Sequence, residues 1–168
     1  MAHVIGFSSL LILTLVSVQF VQEMQVLNVQ RIARVLAMEI SHRVSQEIVS
    51  VVNVALRTGS ENMVLVRELE IPNMILGKSY RIELKAVSGL YKVQVTIIDW
   101  SRLDPIISKL PIDSSSTAIT VELGEGTLQF REYIINYSNS ILSGVSHPVV
   151  WVVKEGGTVR VGIGVMKK

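Results

Sequence analysis

The sequence predicts an α+β fold, one long N-terminal helix followed by an antiparallel β-sandwich of about seven strands. Three observations predict it. No Pro and no Gly occurs from Phe7 to Thr58, and over much of that stretch apolar residues return every three or four positions. From Asn62 onward the apolar period changes to two. Clusters of Gly, Pro, Asn and Ser then divide the chain into short runs.

The helix comes first. Ala2 to Gln22 holds no Asp, Glu, Lys or Arg, and its apolar core, Val4 to Val21, is about 18 residues long, near the minimum that spans hydrocarbon. Glu23 is the first charge. Beyond it, Val29, Ile32, Ala33, Leu36, Ile40, Val44, Ile48, Val51, Val52 and Ala55 keep to one helical face, while Gln30, Arg31, Arg34, Ser41, Gln46 and Arg57 fall on others. Glu39 with Arg43, and Arg43 with Glu47, stand four apart and are expected to pair, each for about 0.3 kcal/mol. Gly59 stands where a helix C-cap is expected.

At 1.5 Å per residue, about 50 helical residues extend roughly 75 Å, against about 30 Å of bilayer hydrocarbon. Over half of such a helix must leave the membrane, and its apolar stripe must then be covered by its own domain or by other subunits. The switch of period at Arg57–Ser60 sets the expected boundary, with residues 1–58 a membrane and polymerisation helix and residues 59–168 a β domain. Ile48, Val51, Val52 and Ala55 are expected to pack on the sheet of the same chain, leaving Val29 to Val44 for neighbours. The first strand, Met63 to Ile71, is expected to be central or well paired.

No A-x-A-like site follows the apolar run, and the helical pattern continues through Gln22 to Gln25, so the segment is read as retained rather than cleaved. Arg31 and Arg34 after the span would, by the positive-inside rule, place the remainder in the cytoplasm. A β-rich domain on a membrane helix is more naturally external, and that is the orientation expected here.

After the helix, Val64–Ile71, Tyr80–Leu84, Tyr91–Ile97, Ala118–Leu123, Thr127–Ile135, Val149–Val153 and Thr158–Val165 read as strands. Pro72-Asn73, Gly77-Lys78, Ser88-Gly89 and Gly124-Glu125-Gly126 read as turns, and Glu155-Gly156-Gly157 as a hairpin. Asp99 to Ser116, with two prolines and a serine run, reads as a long connection that Ile106, Ile107 and Leu110 pack down as a short helix or bridging loop.

Composition narrows the function classes. Hydrophobic residues make up 49% of the 168 and mean hydropathy is +0.45, high for a soluble chain. Sixteen basic and fourteen acidic residues give a net charge of +2, without the basic clustering that nucleic acid requires. Cysteine is absent, which removes disulfides and thiolate metal sites. His3, His42 and His147 lack metal-ligand spacing, and Asp99, Asp104 and Asp113 lack the Gly and terminal Glu of a calcium loop. No nucleophile, base and orienting group can be assembled, so no catalytic, cofactor or metal residue is expected. Gly124–Gly126 and Gly162–Gly164 read as turn or bulge glycines, and Trp100 and Trp151 as core or sheet-face residues. Asn136-Tyr137-Ser138 is an N-glycosylation acceptor triplet.

The run from Gly6 through Phe7 to Leu15 (GFSSLLILTL), the long amphipathic helix after it and the Cys-free β domain together resemble archaeal type IV pilin-like proteins: pilins, archaellins and archaellum accessory proteins. The phrase Leu69 to Ile82 (LEIPNMILGKSYRI) also resembles a β-domain passage of that family. In the family a peptidase cuts after a short basic leader ahead of the apolar helix, and Gly6 before Phe7 resembles that position. This chain departs from the pattern in two places. No Lys or Arg precedes Gly6, and Leu11 stands where many bacterial-type pilins carry a glutamate. The resemblance implies a subunit of an extracellular filament that is membrane-inserted before assembly and polymerises with copies of itself. Helix contacts would run through Gly6, Phe7, Leu10, Leu11, Leu13, Leu15, Val18, Val29, Ile32, Leu36 and Ile40, and a glycan is possible at Asn136. The alternative is a single-pass anchored protein, like the archaellum stator, whose β domain binds another surface component.

Overall fold

The structure is a computed structural model that describes residues 2–100, 103–113 and 118–167, with side chains described from Leu10 onward except at Asp113. One helix, α1 (Ala2–Arg57), precedes ten strands: β1 (Met63–Glu68), β2 (Tyr80–Val87), β3 (Leu90–Ile97), β4 (Ile106–Asp113), β5 (Ile119–Val121), β6 (Gly126–Phe130), β7 (Tyr133–Ser138), β8 (Ser140–Leu142), β9 (Pro148–Glu155) and β10 (Thr158–Lys167). The α+β class with two sheets is therefore as expected, with more strands than the alternation alone suggests. The chain divides into two compact units, Met1–Val35 and Leu36–Lys168. The last turns of α1 thus belong with the sheets.

The larger sheet runs β1-β9-β10-β7-β6, with β5 beside the first half of β10. The β5–β10 pair is parallel; the other pairs are antiparallel. The smaller sheet runs β4-β3-β2-β8. Chain passage from β7 to β8 at Ser138–Ser140 carries the backbone from one sheet to the other, and Leu84 N–H donates to Asn139 O at that corner. β9 is buried on both faces, which is why Val149 to Val153 is an unbroken apolar run rather than an alternation. β2 and β3 alternate instead: Tyr80, Ile82, Leu84, Val93, Val95 and Ile97 point inward and are buried, while Arg81, Glu83, Lys85, Gln94 and Thr96 take the other face.

Three strands differ from expectation, each for a local reason. Asp99–Ser116 contains β4, although Pro111 lies inside it. β4 is an edge strand, and its register against β3 shifts between Leu90 and Lys92, so a bulge absorbs the proline's missing N–H. This strand takes the place of the expected short helix or bridging loop at 106–113, and Ser101, Arg102 and 114–117 lie outside the described residues. Thr127–Ile135 is two strands, because Arg131-Glu132 makes a tight turn between Phe130 and Tyr133, with Arg131 at φ 55°. β8 has only three residues, too few for periodicity to reveal.

β1 is an edge strand rather than a central one, yet all six of its residues pair with β9. The expected hairpin forms at Gly156-Gly157, and the expected turn at Ser88-Gly89 is also a hairpin loop; at both, the two residues have positive φ as type I′ turns demand.

Within the second unit, the buried face of α1 is Ala37, Ile40, Val44, Ile48, Val51, Val52 and Ala55. Ser41 and Ser45 are buried beside them; Ser41 Oγ donates to Val93 O across 3.1 Å and Ser45 Oγ to Ser41 O across 2.8 Å. The small residues Ala37, Ser41 and Ser45 let the helix backbone approach β3. Ionic contacts fix its other side. Arg43 Nη1 donates to Glu70 O at 2.8 Å, and Arg67 Nε lies 2.9 Å from Glu47 Oε2, a charge contact rather than an aligned hydrogen bond. Glu39 pairs with Arg43 as expected (3.5 Å), but Glu47 pairs with β1 instead of Arg43.

Gly59 does not cap the helix in a left-handed conformation. Lys154 of β9 does the work, its Nζ donating to Ala55 O at 3.1 Å and Thr58 O at 2.8 Å.

Candidate assembly surface

The first unit contains the segment to which the assembly reading assigns function. Leu10, Leu11, Ile12, Leu13, Leu15, Val16, Val18, Phe20 and Val21 are all exposed, and at about 100° per residue they cover every face of the helix. An 18-residue window of the helix has mean hydropathy 1.6, none of it buried. The helix is therefore long and apolar enough to cross a membrane. Its hydroxyls are matched to an apolar setting: Thr14 Oγ1 donates to Leu10 O at 2.9 Å and Ser17 Oγ to Leu13 O at 2.8 Å, so neither requires water. Gly6 and Phe7 lie where side chains are not described, and so do Ser8 and Ser9.

From Glu23 to Val35 the helix is mixed, and its apolar residues lie on more than one face. Val26, Val29 and Ile32 make one row at a spacing of three, and Met24, Leu27 and Val35 occupy a different face; all six are exposed. Glu23, Gln25, Asn28, Arg31 and Arg34 are interspersed among them. The sequence reading named Val29 and Ile32 but neither Val26 nor the second row, because it followed one stripe that begins at Val29.

Not every residue assigned to assembly is free. Ile40 is 4% exposed and Val44 fully buried within the second unit, so the expected division at Ile48 is corrected: the covered stripe of that unit begins at Ala37, and Ala33, in the first unit, is fully buried as well. Leu36 is half-buried and, with Ile40, Pro72, Met74 and Ile75, lines a groove of about 220 Å³ rimmed by Glu39 and Arg43. Asn136 stands mid-strand in β7, half-buried and paired on both sides, to Thr127 of β6 and Val165 of β10. A surface loop, the usual setting of a glycosylation acceptor, is not what the fold provides there.

Two groupings escaped the sequence reading. His147 Nδ1 lies 2.9 Å from Glu68 Oε1, joining residues 79 apart in the chain, on the wall of an open cleft of about 720 Å³ between segments 68–73 and 142–148. His147 has φ 54° immediately before Pro148, a conformation unfavourable for most residues but one His adopts more readily. Trp151 is 1% exposed, its ring packed across Gly162 and 4.9 Å from the Tyr137 ring. Gly162 and Gly164 are thus mid-strand residues, not turn glycines; Gly162 leaves space for the Trp151 ring, and Gly164 for the close approach of the β7 backbone at Asn136 and of the Ile135 side chain. Among the described residues no three His, Asp or Glu side chains gather as metal ligands would.

Comparison with protein-family models, with curated proteins and with solved structures finds no match.

Proposed function

We propose that this chain is a structural subunit of an extracellular filament of the archaeal type IV pilin-like kind, built from a core of α1 helices with the β units outside. The observation that carries the reading is the exposed apolar surface of residues 10–35. A single membrane span accounts for about 20 of those residues. The rows at Val26, Val29, Ile32 and at Met24, Leu27, Val35 extend beyond such a span on more than one face, and a bundle of like helices covers several faces at once. Internal satisfaction of Thr14 and Ser17 suits both the bilayer before assembly and a dry bundle after it. The pilin-like run from Gly6 to Leu15 supports the same reading. Copies of itself are the partner, and the membrane is the reservoir.

Leu11→Arg places a charge on this surface and is expected to abolish filaments, as judged by electron microscopy of cells producing the variant. Normal filaments built from Leu11→Arg protein contradict the proposal.

The second reading, a single-pass anchored binding protein, is favoured by one observation: the window of hydropathy 1.6 suffices by itself for one span. Detergent extracts containing only monomers or dimers support it, whereas the protein in sheared extracellular material supports the filament.

A further inference from the structure

The outward face of the smaller sheet carries a polar lattice that neither the helix nor the filament reading uses. Glu83, whose side chain is only 19% exposed, receives Lys85 Nζ at 3.0 Å and Gln94 Nε2 at 3.2 Å, with Arg81 Nη1 at 3.8 Å. Gln94 Nε2 also reaches Thr96 Oγ1 at 3.2 Å, and Lys85 Nζ reaches Gln94 Oε1 at 3.3 Å. Each side chain therefore has its rotamer held by its neighbours. Arg81, Glu83, Gln94 and Thr96 form one wall of an open cavity of about 540 Å³, and Trp100 and Asp99 line it from the segment after β3. That size lies within the ~300–1,000 Å³ of small-molecule sites.

We propose that this cavity binds a saccharide of uncharged hexose units. Hydroxyl groups of a sugar both donate and accept, so they need donors and acceptors interleaved on one surface; Arg81 offers N–H groups, Asp99 and Glu83 carboxylate oxygens, and Thr96 an O–H, while Gln94, whose two Nε2 hydrogens go to Glu83 and Thr96, holds those acceptors in place. A pyranose also has an apolar C–H face, which packs on the electron-rich face of an indole such as Trp100. Strands ~4.8 Å apart set the polar rows at about the width of one such ring. The charged groups lining the cavity are Arg81 against Glu83 and Asp99, a net charge of −1 that disfavours a phosphate or a uronate and leaves an uncharged ligand as the fit. Preorganisation lowers the entropy lost on binding. The filament reading is not needed for any of this.

The test is calorimetric titration of the full-length protein, held in a zwitterionic detergent without a sugar head group, with maltoheptaose, cellohexaose and chitohexaose. Saturable binding to at least one is expected. Trp100→Ala and Gln94→Ala should each weaken it by about fivefold or more, with Trp100→Phe retaining most of it. Unchanged far-ultraviolet dichroism and melting temperature show that each variant is folded. Absence of saturable binding to all three oligosaccharides overturns the proposal, and so does unchanged affinity in both folded alanine variants.

Discussion

Gly162 meets the ring of Trp151 so closely that a Cβ added there would lie 2.6 Å from Cζ2, inside any real contact distance. Gly162→Ala should therefore cost about 1–3 kcal/mol through overpacking, read as a lower denaturant midpoint with an unchanged slope. Tyr80, fully buried, donates its hydroxyl to Pro72 O, and burial pushes its pKa from 10.0 up to about 12. A phenol is neutral when protonated, so a raised folded pKa means that the folded state holds its proton where the unfolded chain has lost it. The stability from Tyr80 is complete below pH 10 and is lost as pH rises toward 12. Melting temperature should fall across that window, and Tyr80→Phe should fall less steeply although less stable at neutral pH. Neither role was legible in the sequence. Periodicity placed Tyr80 inside a strand and noted the Gly162–Gly164 spacing, but only strand register brings Trp151 opposite Gly162.

Elements with many residues and a strong period were readable; those defined by neighbours were not. α1 was legible because more than fifty residues pass without Pro or Gly, and β2, β3, β9 and β10 because alternation or continuous Val runs declare them. β4 was hidden by Pro111, which only an edge position with a bulge tolerates. The end of the helix was misread at Gly59, since the group that satisfies its last carbonyls, Lys154, is about a hundred residues away. Lys154→Met should cost about 1–2 kcal/mol by leaving those carbonyls without a charged donor, measurable by thermal melts. Val52→Asp buries a charge at a position 3% exposed, and should destabilise the sheet unit by about 3 kcal/mol or more. A melting temperature indifferent to Val52→Asp would mean that the last turns of α1 do not belong to that core.

At the scale of the whole molecule, one unit has an extensive core of its own, and the other leaves most of its described apolar side chains exposed. Leu36–Lys168 holds the sheets and the buried face of the last helical turns, while the described side chains from Leu10 to Val35 are mostly apolar and exposed. That imbalance follows from the hydropathy pattern, so the candidate assembly segment was largely visible in the sequence. What the pattern overstated was its reach, because Ile40 and Val44 are consumed by their own unit. The central claim is that residues 10–35 are covered by copies of the same helix. Electron cryo-microscopy of material sheared from the surface of cells producing the protein tests it most directly. The account predicts helical filaments of this chain, with α1 packed at the axis and the sheets outside. Recovery of the protein only from the membrane fraction, as monomers or dimers with no filament containing it, would contradict the account.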